Sequence, residues 1–154
     1  MHDVDASDRA ILVSLESGDD ARDRASLEEL RELAFTAGAL VVGEFGQKRR
    51  APHVACYLGQ GKAEELFAEV RELDANLVIF NGDLTSTQLR NLDEAVGARL
   101  VDRTQLILDI FAQRAHTREG QLQVELAQLT YLLPRITSLY TQFERQQGGI
   151  GIRG

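Results

Sequence analysis

The sequence has few of the residues that mark a secreted or a membrane protein. Of its 154 residues only Cys56 is a cysteine, which excludes an intrachain disulfide and favours a reducing compartment. No apolar run approaches the roughly 20 residues of a membrane-spanning helix, and the acidic first ten residues lack the apolar stretch of a signal peptide. The composition therefore predicts a soluble, cytoplasmic protein with no membrane partner.

Residue patterns of catalytic and metal sites are also absent from the sequence. The histidines His2, His53 and His116 are scattered, so no spacing of metal ligands is present. No serine or cysteine stands in the context of an activated nucleophile. Paired acids such as Glu64 and Glu65 lie where a helix is expected to start, and carboxylates there favour the helix dipole. We therefore predict no catalytic residue, no metal and no cofactor in this chain.

Charge is distributed unevenly along the chain. Residues 1–102 contain 11 lysines and arginines against 20 acids, a net charge of −9, whereas residues 103–154 contain 6 arginines against 4 acids, a net charge of +2. An acidic surface is a poor non-specific binder of nucleic acid. If this protein meets RNA, we expect it to do so with its C-terminal part.

Short apolar runs alternate with amphipathic segments over the first hundred residues. Strands joined by helices in this way need a parallel sheet that is covered on both faces. We predict an α/β fold: a small, mostly parallel four-stranded sheet flanked by helices, with strand order 2-1-3-4, followed by a long C-terminal helix. We divide the chain into an α/β body, residues 1–103, and a helical arm, residues 104–154. The predicted strands are residues 9–16, 39–46, 77–80 and 99–102.

Capping residues mark the starts of several predicted helices. Ser26 with Glu29, and Thr85 with Gln88, have the spacing of a capping box, in which each side chain satisfies a free backbone amide. The first helix is therefore predicted to start at Ser26 and the third at Thr85. Thr104 is placed to cap the helix that follows the fourth strand.

The last third of the chain has the most regular apolar pattern. Between Glu119 and Gln147, seven apolar residues follow one another in steps of four and three, the heptad spacing of a coiled coil. Pro134 removes one backbone hydrogen bond and is expected to bend this helix. Monomers rarely leave such an apolar stripe in water, so we expect a partner helix. We call these seven residues the seam: Leu122, Leu126, Leu129, Leu133, Ile136, Tyr140 and Phe143.

A glycine-containing segment before the second helix is a candidate anion site. Gly59, Gly61 and Lys62 precede the helix, whose free amides can hold an anion with the lysine beside them. Arg49 and Arg50 would lie at the same edge of the sheet, where open parallel sheets bind nucleotides and other ligands. The spacing is not that of a Walker loop, and a helix entry that uses glycine for close packing is the simpler interpretation.

Several stretches of the sequence resemble a known family. VDRTQLILDIFAQRAHTREGQLQVELAQL, LLPRI, GGIGIRG, YLGQGKAEEL and TQLRNLDEA are similar to the N-terminal domain of the HflX family of translational GTPases. The resemblance implies an α/β body and one helix of an antiparallel helical hairpin, whose glycine-rich tip reaches RNA at the peptidyl-transferase region of the large ribosomal subunit. It implies a role in splitting or rescuing stalled ribosomes, with GTP and magnesium as cofactors of the full-length protein.

Under this resemblance the segment that follows the seam contacts ribosomal RNA. Glycines let a backbone approach RNA closely, and arginines meet phosphates. The sequence contains no Walker lysine and no guanine-specificity motif, so we expect this chain to be no enzyme. The second hairpin helix and the GTPase domain are then expected outside it. We call the RNA-contacting segment the tip: Arg145, Gln146, Gln147, Gly148, Gly149, Ile150, Gly151, Ile152, Arg153 and Gly154.

A function from another class stays open. The chain departs from the family where Gln147 replaces a usual third glycine and where Leu84 is followed by Thr-Ser rather than Ser-Pro. The alternative is an independent nucleotide- or anion-binding α/β domain that homodimerises through the seam as a coiled coil.

Overall fold

Residues 4–59 and 61–149 are described by the computed structural model, with side-chain environments for all of these except 94, 95 and 136–149. Over these residues, strands and helices alternate as predicted, and the α/β fold class is confirmed. The elements are β1 (Arg9–Glu16), α1 (Asp20–Ala37), β2 (Leu40–Lys48), α2 (Lys62–Glu72), β3 (Leu77–Phe80), α3 (Ser86–Val96), β4 (Arg99–Asp102), α4 (Arg103–Arg114) and α5 (Arg118–Gly149).

The four strands form one parallel sheet in the order β2-β1-β3-β4, which confirms the predicted order. The central strands β1 and β3 are covered on both faces, which explains why their sequences are continuous apolar runs rather than alternating ones. All four residues of β3 are buried, and so are Ala10 to Val13 of β1. The carboxyl ends of the strands therefore meet at one edge of the sheet.

Each face of the sheet carries its own apolar cluster. Successive strand residues point to opposite faces, so Ile11 belongs to one cluster and Leu12 to the other. The first cluster packs against α2 and α3, and the second packs against α1 and α4. Leu106 and Ile110 of α4 lie in the second cluster, so α4 covers the sheet.

The first helix begins earlier than the spacing of Ser26 and Glu29 predicts. α1 starts at Asp20, and the carboxylate of Asp19 accepts a hydrogen bond from the Arg22 amide at 3.2 Å. The predicted start at Ser26 is wrong because an aspartate caps at least as well as a serine, and it stands earlier in a segment free of glycine and proline. The Ser26 hydroxyl accepts a hydrogen bond from Asn81 Nδ2 at 2.9 Å instead.

The predicted cap of α4 is also wrong. Asp102 caps this helix, and its Oδ1 accepts a hydrogen bond from the Gln105 amide at 2.9 Å. The helix starts one residue after β4 ends, so the last strand residue already occupies the capping position. The hydroxyl of Thr104 donates to Asp83 Oδ1 at 2.6 Å.

The capping box at the start of α3 is confirmed. The Thr85 hydroxyl accepts from the Gln88 amide at 3.1 Å, and the Gln88 side chain accepts from the Thr85 amide at 2.9 Å. Gln88 Nε2 also donates to the His53 carbonyl at 2.8 Å. The irregular segment around His53 is thereby fastened to α3.

The longest helix, α5, follows α4 after a break at residues 115–117. It has 32 residues, about 48 Å at roughly 1.5 Å per residue, and contains Pro134. Neither α5 nor any other helix in the described part of the chain is both long and apolar enough to cross a membrane.

Candidate docking site on the C-terminal helix

α5 contacts the body through polar side chains. Gln128, Tyr131 and Arg135 follow one another in steps of three and four, which places them on one side of the helix. Gln128 is buried, and the other two are half-buried. We call these three side chains the attachment residues.

The first attachment residue pairs with a buried carboxylate of α4. Gln128 Nε2 donates a hydrogen bond to Asp109 Oδ1 at 3.2 Å. The second oxygen of Asp109 accepts the Val4 amide at 3.4 Å. This carboxylate therefore joins α4 and α5 to the start of the chain.

The other two attachment residues reach the carboxyl edge of the sheet. The Tyr131 hydroxyl donates a short hydrogen bond to Asp102 Oδ2. Arg135 Nε donates to the carbonyl of Leu84 at 3.1 Å, and its guanidinium carbon lies 3.7 Å from the centre of the Tyr131 ring. Burial, followed by the hydrogen bond to Asp102 and the charge of that carboxylate, raises the pKa of Tyr131 above its ordinary value. Tyr131 therefore stays a hydrogen-bond donor at neutral pH.

The seam faces away from the body. At 3.6 residues per turn, the four described seam leucines lie on the side of α5 opposite to the attachment residues. Their side chains are 52%, 66%, 44% and 53% exposed for Leu122, Leu126, Leu129 and Leu133. A surface helix normally turns its apolar side towards the core. Since full burial of a leucine stabilises by roughly 1.5–3 kcal/mol, the exposed seam is a candidate docking surface.

An open apolar groove runs beside the seam, between α4 and α5. Its volume is about 570 Å³. Seam residue Leu126 is one of its walls, so a helix docked on the seam would also reach α4. The residues that line the groove are Thr104, Leu108, Gln123, Leu126, Ala127, Thr130, Tyr131 and Arg135.

The remaining predicted residues of the arm fall partly or wholly outside the described residues. The backbone of Ile136, Tyr140 and Phe143 belongs to α5, but their side chains lie outside the description. The same holds for the tip residues 145–149, and α5 extends two residues beyond the predicted Gln147. Residues 150–154 lie outside it altogether. RNA contact by the tip stays a prediction.

The predicted anion segment uses its polar groups internally. The Gly59 amide donates to Gln47 Oε1 at 2.7 Å, and a Cβ added at Gly59 would lie 2.6 Å from Gln47 Nε2. Arg49 lies beside it, since that Cβ would be 3.1 Å from Arg49 Nη1, and Arg49 Nε donates to the Ala51 carbonyl at 3.1 Å. Arg50 is exposed. This glycine is therefore explained by close packing.

At the start of α2, the Lys62 side chain has partners within the protein. Gly61 precedes the helix with a φ of 86°, a left-handed conformation that favours glycine. Lys62 Nζ lies 3.3 Å from Glu65 Oε1 and 5.6 Å from the centre of the Phe45 ring. Anion binding by this segment stays a prediction.

Polar side chains at the carboxyl edge of the sheet bind one another. Arg103 Nη1 donates to Asn81 Oδ1 at 2.7 Å, and its Nη2 pairs with Glu29 at 2.5 Å. Asn81 in turn donates to Ser26. Within the described residues, no group of three or more His, Cys, Asp or Glu side chains could hold a metal ion.

Tyr57 closes this edge from the side of α2 and α3. It is buried, has a φ of 66°, and donates a hydrogen bond to the Asn81 carbonyl at 3.3 Å. A Cβ added at Gly82 would lie 2.9 Å from the Tyr57 hydroxyl, so the turn after β3 requires glycine. Burial, and then the charges of Asp102 and Asp83, raise the pKa of Tyr57 to about 12.

Sequence reasoning missed the attachment residues. The heptad pattern predicts the apolar side of α5 and predicts nothing about the polar side. The signal was present, because a glutamine, a tyrosine and an arginine at helical spacing lie opposite the seam. Gln128 and Tyr131 bind the aspartates Asp109 and Asp102, and Arg135 binds the Leu84 carbonyl. The sequence does not reveal that these three partners are buried.

Comparisons with known proteins agree with this architecture. Residues 24–112 match the family described as GTP-binding GTPase N-terminal, and residues 114–154 match the GTP-binding GTPase middle region. The chain is 54% identical over 147 residues to GTPase HflX of Caldanaerobacter subterraneus, covering 96% of this chain and 34% of that protein. It is 45% identical over 150 residues to GTPase HflX of Escherichia coli K12, covering 97% and 35%.

A solved structure shares the fold. A GTP-binding protein from the archaeon Sulfolobus solfataricus, in complex with GDP, superposes with a TM-score of 0.66 at 24% identity, covering 91% of this chain and 42% of that chain. The chain spans about a third of the length of the curated relatives that it matches. From its matches to both family regions and its identity to these relatives, the chain belongs to the HflX family of GTPases and corresponds to their N-terminal part.

Proposed function

We propose that this chain is the ribosome-binding part of an HflX-type GTPase, and that it serves to split or rescue stalled ribosomes. In this proposal α5 carries the tip, residues 145–154, to RNA of the large ribosomal subunit. The observation that supports it most is the orientation of α5, whose polar side binds the body while its apolar side is exposed. A helix fixed in this way is built to dock onto something outside the body.

The length and charge of α5 support the same role. The last attachment residue is Arg135, so residues 136–149 continue the helix for 14 residues, or about 21 Å at roughly 1.5 Å per residue. Residues 1–102 have a net charge of −9, and residues 103–154 have a net charge of +2. RNA would therefore be repelled by the body and accepted by the arm.

We further propose that the seam pairs with the second helix of an antiparallel hairpin, supplied by the remainder of the GTPase. GTP hydrolysis would then occur in a separate domain of the longer polypeptide, with magnesium at the phosphates. The Sulfolobus protein was solved in complex with GDP, which supports a guanine nucleotide as the ligand of the separate GTPase domain. We expect the protein to act in the cytoplasm, where ribosomes are.

The test is co-sedimentation with purified large ribosomal subunits over a range of salt concentrations. Replacing Arg145 and Arg153 together by glutamine should weaken binding, and should reduce the slope of log affinity against log salt by about 0.7–0.9 for each lost phosphate contact. The matched control replaces the exposed Arg22 and Arg24 of α1 in the same way, which leaves the net charge change identical. Equal loss in both double variants would mean that the tip has no special role.

A second candidate function, self-association, is favoured by the exposed leucines of the seam. Two copies could bury their seams against each other across a two-fold axis. Sedimentation equilibrium would detect such a dimer, and replacing Leu129 and Leu133 by glutamine should abolish it. A monomer at all concentrations would remove this candidate. A dimer that persists when large subunits bind would show that the two candidate functions do not compete for the seam.

A further inference from the structure

One buried carboxylate joins four parts of the molecule. Asp102 is the last residue of β4 and is 2% exposed. Its Oδ1 caps α4 by accepting the Gln105 amide at 2.9 Å. Its Oδ2 accepts the Leu84 amide at 3.0 Å and also the hydroxyl of Tyr131. The sheet, α4, α5 and the loop between β3 and α3 therefore share one side chain.

Both backbone polar groups of Leu84 are hydrogen-bonded in this arrangement. The amide of Leu84 binds Asp102, and its carbonyl accepts Arg135 Nε at 3.1 Å. Arg135 also donates to the Tyr131 carbonyl at 2.8 Å and lies over the Tyr131 ring. Two consecutive turns of α5 are therefore fixed to the body, one by Tyr131 through Asp102 and the other by Arg135 through Leu84. Leu84 is itself buried, at 1% exposed.

Apolar contacts constrain the direction of a helix less than hydrogen bonds do. Hydrophobic burial is non-directional, whereas a hydrogen bond requires a particular donor, acceptor and angle. The described leucines of the seam point away from the body and cannot orient α5 against it. The hydrogen bonds of the polar side chains that reach the body therefore add a directional constraint to the packing of the half-buried Val124 and Leu132.

We propose that Asp102 is the positioning residue of the arm: through the Tyr131 hydroxyl, its carboxylate sets the direction in which α5 leaves the sheet. Its importance for ribosome binding rests on the function proposed above, because a tip at the end of a long helix is displaced by a small change of angle at the base. The positioning itself concerns only the body and α5, and is tested without ribosomes.

The experiment measures the distance between two spin labels by pulsed electron paramagnetic resonance. One label replaces the exposed Glu32 of α1, and the other replaces Gln142, in the part of α5 beyond the attachment residues, with Cys56 changed to serine. Tyr131→Phe removes one hydroxyl and keeps the ring, and should shift and broaden the distance distribution. The matched control is Tyr57→Phe, which removes a hydroxyl that binds the Asn81 carbonyl at 3.3 Å inside the body. It should leave the distribution unchanged.

Asp102→Asn supplies an independent variant. Asparagine is as good a helix cap as aspartate, so α4 should keep its start, but the amide replaces an oxygen that accepts the hydroxyl of Tyr131. We expect at least the broadening seen in Tyr131→Phe, because Asp102→Asn also loses the hydrogen bond from the Leu84 amide to the same oxygen. The double variant should broaden no further than Asp102→Asn alone, because Tyr131→Phe then removes a contact that is already lost. If Asp102→Asn fails to fold, Tyr131→Phe decides. An unchanged distribution in Tyr131→Phe would overturn the proposal and leave ribosome binding untouched.

Discussion

The exposed seam makes a quantitative prediction about two leucines that are changed in the same way. Leu106 of α4 is completely buried, so Leu106→Ala should lower the free energy of unfolding by about 2–5 kcal/mol, from lost apolar burial and the cavity left behind. Leu126 of α5 is 66% exposed, so only about a third of its burial can be lost. Leu126→Ala should therefore cost about 0.5–1 kcal/mol. Urea unfolding followed by circular dichroism measures both values.

The comparison also shows whether the seam is free in solution. If Leu126→Ala destabilised as much as Leu106→Ala, the seam would already be buried in the isolated chain, and the reasoning from its exposure would be refuted. Repeating the measurement at two widely separated protein concentrations identifies the cause. Stability that rises with concentration indicates pairing of two copies, because association with the folded state shifts the equilibrium. Stability that does not change indicates a fold different from the one described.

Three further predictions concern the body. Gly82→Ala should destabilise by about 1–3 kcal/mol in urea unfolding, because its Cβ would lie 2.9 Å from the Tyr57 hydroxyl; a cost near zero would mean that the turn after β3 is not closely packed. The raised pKa of Tyr57 keeps its proton on in the folded state, so the stability that Tyr57 contributes below pH 10 should fall by about 2 kcal/mol as the pH rises to 12; Tyr57→Phe should show a flatter profile over that range, and an equal slope would contradict the shift. Asp19→Ala should cost about 1 kcal/mol through loss of the α1 cap, measured by thermal unfolding, whereas Ser26→Ala should leave the helix start unchanged; the reverse order would restore the cap at Ser26.

The sheet could be predicted because its signals are local and strong. Four apolar runs, each separated by a helix-length polar segment, leave few parallel topologies, and the predicted strand order 2-1-3-4 is one of them. The capping box at Thr85 was also recognisable, since its reciprocal hydrogen bonds use only the local backbone. These features depend on residues that are neighbours in the sequence.

The cap positions that failed were decided by competition between candidates. Ser26 has the correct spacing, yet Asp19 stands earlier in a segment that can be helical, so the helix extends back to the earlier cap. In the same way, Asp102 rather than Thr104 caps α4, because it stands two residues earlier. A spacing rule identifies side chains that are able to cap, but it does not rank them against others within the same turn or two.

The candidate site was predictable only on its apolar side. The heptad pattern identifies the seam because an apolar stripe has a period. The attachment residues have no pattern of their own, since Gln128, Tyr131 and Arg135 differ in chemistry and bind partners 19, 29 and 51 residues away. Such contacts are established by the three-dimensional fold, which explains why the exit of the arm from the body was not foreseen.

The outward orientation of the seam has a consequence for synthesis on the ribosome. The attachment residues and the groups that they bind all lie between Leu84 and Arg135, so these hydrogen bonds form without a partner of the seam. In the function proposed above, the seam is covered only when its partner helix docks, so until then a nascent chain displays a row of leucines that other nascent chains and chaperones can bind. Under that proposal, we expect a delay in covering the seam to appear as aggregation of a body that is already correctly folded.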